Sequence, residues 1–245
     1  MPELATAFRE IRLALSTELH QADERAWDAP IPNRPEWTVK DTVAMLAGFA
    51  RALVEGHWKA DYSDAWSDPN VRKRLLNAFN GFILLRRDRS GPEILHEWED
   101  AAVHLERMMD GDEPFPEGIH PFAGWTYLWA VVQNSQNIWS AMKVESKLRG
   151  TEAIEMVLES AVYWLDMRLQ ATGAPALRLR AGGREWVVGD GAPQATVTAP
   201  AFELFRALSG RRSIAQIRAF DWDGDPTPYL KVFSPFEAPR ESFVE

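Results

Sequence analysis

The chain has 245 residues, with 27 Lys or Arg against 36 Asp or Glu, a formal charge of −9 and no cysteine. An acidic surface repels phosphate backbones, so we expect no nucleic-acid partner. Without cysteine the chain forms no disulfide, no thiolate zinc site and no cysteine nucleophile. Charged residues recur too often for a membrane span and no export signal is visible, so we expect a cytoplasmic protein.

Over most of the first 171 residues, an apolar residue recurs every three or four positions. This spacing is the period of amphipathic helices. Thr38 and Asp41, three residues apart, predict a capping box where the second helix opens. The stretch Tyr62–Asn70 is rich in Asp and Ser and is interpreted as a loop. The predicted helices are Leu4–Trp27, Thr38–Trp58, Val71–Arg87, Pro92–Met109, Pro121–Leu148 and Thr151–Ala171.

The pattern changes at Gly173, after which apolar and polar residues alternate with period two, as they do in strands. Glycine pairs between these segments predict hairpin turns. The predicted strands are Leu177–Arg180, Glu185–Val188 and Ala195–Thr198, and the predicted short helices are Phe202–Leu208 and Ile214–Phe220. Asp221–Asp225 is interpreted as a tight turn and Phe233–Glu245 as an extended tail.

Long amphipathic helices joined by short loops bury their apolar stripes against one another. The sequence therefore predicts a mostly α fold in two domains. Residues 1–171 form an up-and-down four-helix bundle, and residues 172–245 form a small α+β domain that ends in the extended tail.

Two segments carry a family resemblance. Pro35-Glu-Trp-Thr-Val-Lys-Asp-Thr-Val-Ala-Met-Leu-Ala-Gly48 resembles the second-helix signature of DinB-like proteins in the mycothiol-dependent maleylpyruvate isomerase family. Leu208-Ser-Gly-Arg-Arg-Ser213, continued by Phe220-Asp-Trp-Asp-Gly-Asp-Pro226, looks like the C-terminal segment of actinobacterial members of that family. With the order of bundle and small domain, the resemblance covers essentially the whole chain.

The resemblance implies a DinB-like bundle that holds one divalent metal, usually zinc. Its ligands are a histidine on the second helix and a glutamate and a histidine four residues apart on a later helix. A thiol cofactor and an acidic substrate meet at that metal. Here Met45, Ala130 and Asn134 stand at those three positions, and no His, Glu or Asp occurs from Pro121 to Lys143.

Thioether, methyl and amide groups are poor ligands for zinc. We therefore expect neither metal nor cofactor, and zinc and mycothiol enter only through the family resemblance. Around Asn134 the run Gln133–Ile138 is unusually polar for a Trp-rich helix. One interpretation, which we favour, is that these side chains bond one another or face solvent. In the other, Asn134 and Asn137, three residues apart, grip a polar ligand beside Met45.

Two further groups of residues are weaker candidates for a site. His96, Asp100 and His104 share one helix face and are the fallback candidates for a metal, although a solvated charged face is favoured. Residues eight apart lie about 12 Å apart along a helix, so the three cannot surround one ion. By resemblance Arg211 lends its guanidinium to an acidic substrate, because arginine binds carboxylates bidentately. The alternative, which we favour, is that it complements a helix C-terminus.

The leading hypothesis is a divergent member of this family that binds a small polar or acidic ligand, or a protein partner, without metal. The alternative hypothesis is an active metal- and thiol-dependent isomerase or transferase whose metal is held outside the inherited positions. A third is a homodimer that forms through the Trp-rich helix.

Overall fold

A computed structural model describes residues 2–60, 62, 65, 68–120, 122–234, 239, 241 and 242. The chain divides into two compact units, one built around Met1–Ala65 and Asn70–Ala153 and the other around Ile154–Val244. The boundary between residues 171 and 172, drawn from the change of composition, stays a prediction. The predicted tail lies largely outside the described residues. The predicted loop of residues 62–70 lies partly outside them, and its last two residues, Pro69 and Asn70, are the start of a helix.

The elements confirm the predicted class, a mostly helical chain with a small sheet region. The helices are α1 (Pro2–His20), α2 (Glu24–Trp27), α3 (Val39–Val54), α4 (Pro69–Leu84), α5 (Gly91–Asp110), α6 (Ala123–Met142), α7 (Glu152–Thr172), α8 (Ala201–Leu208) and α9 (Ile214–Arg218). The strands are β1 (Pro30–Ile31), β2 (Arg34–Thr38), β3 (Leu177–Ala181), β4 (Arg184–Val188), β5 (Ala195–Thr198) and β6 (Asp221–Asp223).

The predicted first helix is wrong at its C-terminal end. α1 stops at His20, and α2 begins separately because the Asp23 carboxylate caps it by accepting from the Ala26 amide at 2.8 Å. The proline-rich stretch that follows forms a small antiparallel hairpin, β1 with β2, which the sequence analysis did not predict. Alternation of apolar and polar residues is the sequence signal for a strand. β1 has only two residues, and β2, Arg-Pro-Glu-Trp-Thr, does not alternate.

The start of α3 agrees with the prediction. The Asp41 amide donates to the Thr38 hydroxyl, and Asp41 accepts in return from the Thr38 amide at 2.9 Å, which completes the capping box. The helix ends at Val54, a turn before the expected Trp58, because Gly56 takes a left-handed conformation with φ 73°. α6 likewise ends early, at Met142, where Lys143 is left-handed with φ 59°.

Four helices of the first unit, α1, α3, α5 and α6, pack together as the predicted four-helix bundle, but their directions do not alternate along the chain in up-and-down order. Ion pairs join Arg9 near the start of α1 to Glu106 near the end of α5, and His20 to Glu99, so these two helices run antiparallel. The rings of Phe8 and Tyr127 meet edge to face at 5.6 Å near the starts of α1 and α6, which run parallel.

Two hydrogen bonds of the buried Tyr127 hydroxyl link helices of the bundle. The Trp98 indole on α5 donates to the Tyr127 hydroxyl at 2.8 Å, and that hydroxyl donates to the Leu46 carbonyl of α3 at 3.0 Å. Burial raises the pKa of Tyr127, so the phenol stays protonated and can donate. One side chain on α6 therefore contacts the other three helices.

The second unit contains a four-stranded sheet in the order β4-β3-β5-β6. β3 and β4 form the predicted antiparallel hairpin, with Gly182 and Gly183 both at positive φ in its turn, and β5 lies parallel to β3. The interpretation of Asp221–Asp225 as a tight turn alone is wrong, because Asp221–Asp223 is an edge strand paired with β5. α7 contacts this sheet through Asp166, which accepts from the Gly189 amide at 2.6 Å.

Within the described part of the chain, no helix is long and apolar enough to cross a membrane. Of the three tryptophans of α6, Trp129 and Trp139 are buried within the chain and Trp125 is half-buried. The homodimer itself stays a prediction.

We expect Tyr127→Phe to lower the free energy of unfolding by about 1–3 kcal/mol, because the buried Trp98 indole N–H loses its acceptor. Urea unfolding measures this change. Tyr163→Phe is the matched control, because Tyr163 is 57% exposed and its change is expected to stay within about 0.5 kcal/mol. Equal effects of the two substitutions would show that the hydrogen bonds at Tyr127 contribute nothing.

Glu106 of α5 predicts a pH dependence of stability. Burial acts to raise its pKa, but hydrogen bonds from Arg9 and Arg12 outweigh burial and hold the pKa below the ordinary value of 4.5. The folded chain therefore binds this proton less readily than the unfolded chain. The stabilisation is complete above about pH 4.5 and is lost as the pH falls through the lowered pKa.

Glu106→Gln should accordingly lower the free energy of unfolding at pH 7 by about 1–3 kcal/mol, and the difference from the native chain should shrink below pH 4.5. Denaturant titrations between pH 3 and 7 test both parts. Glu10→Gln serves as the control, since Glu10 is exposed on α1 and its variant should follow the native curve. A difference that does not vary with pH would contradict the assignment.

Candidate functional site

The candidate site lies on α6, which is buried around its whole circumference from Val131 to Trp139. Val131, Val132 and Ile138 supply the expected apolar contacts, but the polar run Gln133–Asn137 lies in the same turns and is equally enclosed. Buried polar side chains need hydrogen-bond partners, because leaving one unmade costs about 1–3 kcal/mol. The partners of this run therefore decide what it can do.

The two asparagines bond along the helix. The Asn134 amide nitrogen donates to the Ala130 carbonyl at 2.8 Å, one turn back, and the Asn137 amide nitrogen donates to the Asn134 side-chain oxygen at 3.2 Å. The spacing of three residues thus places the two amides in contact with each other, as the favoured sequence interpretation has it. Their binding of a ligand stays a prediction.

The glutamines of the run bond in the same local way. The Trp129 indole donates to the Gln133 side-chain oxygen at 2.9 Å, and the Gln136 amide nitrogen donates to the Ser140 hydroxyl at 3.1 Å. Both pairs are four residues apart, so α6 supplies partners for its own polar groups.

Some polar atoms of α6 remain without a partner. Within the described residues, the Ser135 hydroxyl, the Gln136 side-chain oxygen and the Trp139 indole nitrogen are buried and make no hydrogen bond. A hydroxyl, an amide oxygen and an indole N–H together offer donors and acceptors to a polar molecule. Trp139 was not among the site residues predicted from sequence. Its position one turn after Ser135 was a signal that could have identified it as one.

The inherited metal positions do not fit a metal. Met45 is buried on α3, and Ala130 and Asn134 lie one turn apart on α6. None of the three offers the imidazole nitrogen or carboxylate that zinc takes in a cysteine-free chain. The Asn134 amide nitrogen is also committed to the Ala130 carbonyl. We derive no chemistry through a metal here, nor through a thiol that a metal would activate.

The fallback metal candidates are not brought together. Asp100 accepts from Arg51 of α3 at 3.2 Å, His104 contacts Glu113 at 3.0 Å, and His96 is exposed. Over the residues that the structure describes, no three His, Asp or Glu side chains form a group able to hold a metal ion. The three lie on one face of α5, as their spacing requires, but two of them are paired with other residues.

Arg211 lies just beyond α8 in the second unit. Its guanidinium donates to the carbonyls of Ser209 at 3.0 Å and Gly210 at 3.5 Å, at the C-terminal end of that helix. This is the helix-end arrangement that the sequence analysis favoured over substrate binding. The adjacent Arg212 is buried and donates to Glu203 at 2.7 Å, which fixes the turn between α8 and α9.

A helical bundle followed by a small α+β region is the DinB-like fold that the sequence resemblance implies. Residues 8–129 match the family described as the mycothiol maleylpyruvate isomerase N-terminal domain. The match covers just under half of the chain, so the region of residues 8–129 is similar to that domain. The match ends one residue before Ala130, where the inherited ligand positions of α6 begin.

Solved structures show the same fold. A crystal structure of the mycothiol-dependent maleylpyruvate isomerase, and one of a point mutant of it, each have 16% sequence identity with this chain and a TM-score of 0.54. Each alignment covers 85% of this chain and 88% of the other. No curated protein matches the sequence.

The contact between Asn134 and Asn137 predicts strongly non-additive substitutions. Asn134→Leu should destabilise the chain by about 1–3 kcal/mol, because the Asn137 amide loses its acceptor. In the double variant Asn134→Leu with Asn137→Leu, the Asn137 amide that lost this acceptor is itself removed, and part of the loss should be recovered. A double-mutant cycle by urea unfolding should give a coupling of at least about 0.5 kcal/mol. Additive effects would show that the two amides are independent.

Proposed function

We propose that this chain is a metal-independent member of its family that binds a small polar or acidic ligand at the buried polar face of α6. One observation carries the proposal: Met45, Ala130 and Asn134 stand where the family resemblance requires metal ligands, and none of them fits a metal. Chemistry that depends on a metal-activated thiol has no support from these side chains.

The unpartnered atoms of α6 support ligand binding. The Ser135 hydroxyl, the Gln136 oxygen and the Trp139 indole are enclosed and unsatisfied among the described residues. A buried polar atom without a partner destabilises the fold, whereas an apolar side chain of similar shape would not. A bound polar molecule would supply the missing hydrogen bonds. Asn134 and Asn137 lie on a different face of α6, beside Ala130, and their amides would bind a ligand that extends to that face.

Zinc content tests the first half of the proposal. Chain purified without an affinity tag should retain no zinc after dialysis against zinc and then buffer. The variant Met45→His, Ala130→Glu, Asn134→His should retain about one ion per chain, because it recreates a His, Glu and His donor set. A variant with glutamine at the same three positions is the matched control, since it adds polar side chains but no zinc donor.

The native chain should also leave the mycothiol-dependent isomerisation of maleylpyruvate at its uncatalysed rate. About one tightly held zinc per native chain, together with turnover that is lost when the zinc is removed, would instead establish the metal- and thiol-dependent enzyme. Failure of the His, Glu, His variant to bind zinc would show that these are not the inherited positions.

Thermal melting tests the ligand-binding half, with maleylpyruvate as an acidic probe. Binding to the folded chain should raise the melting temperature in proportion to the logarithm of probe concentration. The Asn134→Leu, Asn137→Leu double variant should lose that shift while it remains folded. A shift of equal size in both proteins would place the bound probe away from α6.

A further inference from the structure

Helix α4 is covered much less than the other long helices of the first unit. Val71 is the one fully buried residue among its described side chains, although the helix carries Leu, Ile and Phe through its second half. At its C-terminal end Leu84 is 63% exposed and the adjoining Leu85 is 80% exposed. An apolar surface of this kind on a soluble protein marks an interaction site.

The aromatic residues of α4 are turned inward onto α3. A Cβ on Gly48 would lie 2.4 Å from the Phe82 Cβ, so the two helices meet closely where α3 has no side chain. Phe79 lies 5.6 Å from the Phe49 ring, and Trp58 stacks on Phe79 at 5.9 Å. The aromatic residues of α4 therefore contact α3, whereas Leu84 and Leu85 lie exposed outside that contact.

A hollow of about 290 Å³ opens beside this contact. Its lining includes three aromatic side chains, those of Trp58, Tyr62 and Phe82. It also includes Ala78 and Gly81 of α4 and the adjoining Leu85, which follow one another at helical spacing. A Cβ on Gly81 would meet no atom within 4 Å, so space is open beside Gly81. The hollow has the size and lining to accept one bulky apolar side chain.

The charge of this region opposes that of the chain. Residues 69–90 contain six Lys or Arg and one acidic residue, a net charge of +5 in a chain of −9. At the C-terminal end Arg86 and Arg89 pair with Glu97, and Arg87 pairs with Asp88. At the other end of α4, Lys73 and Arg74 are exposed and form no ion pair with another described residue. Arg74 lies one turn before Ala78, on the face that lines the hollow.

We propose that this hollow and the basic start of α4 form a docking surface for an acidic peptide segment of another protein. A bulky apolar side chain of the segment enters the hollow, and its carboxylates pair with Lys73 and Arg74. In such interfaces a central apolar anchor in a pocket supplies most of the affinity, and charged pairs at the rim supply specificity. The surface is separate from the α6 site and does not depend on the function proposed for it.

Two other occupants fit the observations less well. A second copy related by a two-fold axis would bring one basic α4 against another, because the same patch occurs on both sides of such an interface. An anionic membrane requires a broad apolar face turned outward, whereas Phe79 and Phe82 are turned onto α3 and leave two exposed leucines.

Selection of a random peptide display library on the full chain tests the proposal. The enriched peptides should carry several Asp or Glu together with a Trp, Phe or Leu anchor. The dissociation constant of a labelled selected peptide should rise tenfold or more in Leu85→Glu, and likewise in Gly81→Leu, which fills the hollow. The dissociation constant should also rise in the double variant Lys73→Glu, Arg74→Glu. For the native chain it should rise with salt concentration.

Leu13→Glu is the matched control, because Leu13 is a 51% exposed leucine on α1 and its variant should bind like the native chain. Circular dichroism confirms that each variant is folded. The proposal is overturned if no peptide is enriched, or if the enriched peptides are neutral or basic. It is also overturned if the enriched peptides bind the Leu85→Glu and Gly81→Leu variants as tightly as they bind the native chain. Binding of the native chain to phosphatidylserine vesicles without peptide binding would assign the surface to a membrane. Dimerisation that Leu85→Glu abolishes would assign it to a second copy.

Discussion

The first unit depends on the hydrogen bonds of one buried phenol. Tyr127 accepts from the Trp98 indole on α5, donates to the Leu46 carbonyl on α3 and meets Phe8 of α1 edge to face. Each contact satisfies a polar or aromatic group that no water reaches, so the four helices are fixed in one relative arrangement. That arrangement sets the register of α6 against α3, and with it the positions of Met45, Ala130 and Asn134.

The enclosure of α6 imposes the second constraint. A helix buried on every side has no solvent to satisfy its polar side chains, so Gln133, Asn134 and their neighbours must find partners close by. Most of them find a partner three or four residues away on the same helix. Ser135 and Trp139 do not. A core that had only lost its metal would need no unsatisfied polar groups. The unsatisfied groups are therefore the better evidence for a site that receives a ligand.

Local rules predicted local structure well. The Thr38 capping box follows from side chains within one turn, and the contact between Asn134 and Asn137 follows from their spacing, so both could be inferred from sequence. β6 was missed because its pairing with β5 joins residues about 25 apart, and Asp-Trp-Asp shows no strand pattern by itself. The hollow beside α4 could not be predicted either, since it requires Trp58 and Phe82, on different segments, to meet in space.

Stability and binding oppose each other in the same bundle. Apolar replacements for Asn134 and Asn137 would remove the cost of burying polar groups, and polar replacements for Leu84 and Leu85 would remove exposed apolar surface. Natural chains gain stability readily by such changes, and the usual loss is function. The buried amides and the exposed leucines are each unfavourable for an isolated fold. Both become favourable only when a second molecule supplies hydrogen bonds to α6 or apolar contact to α4. The physical case for binding therefore comes from the features that the fold by itself does not need.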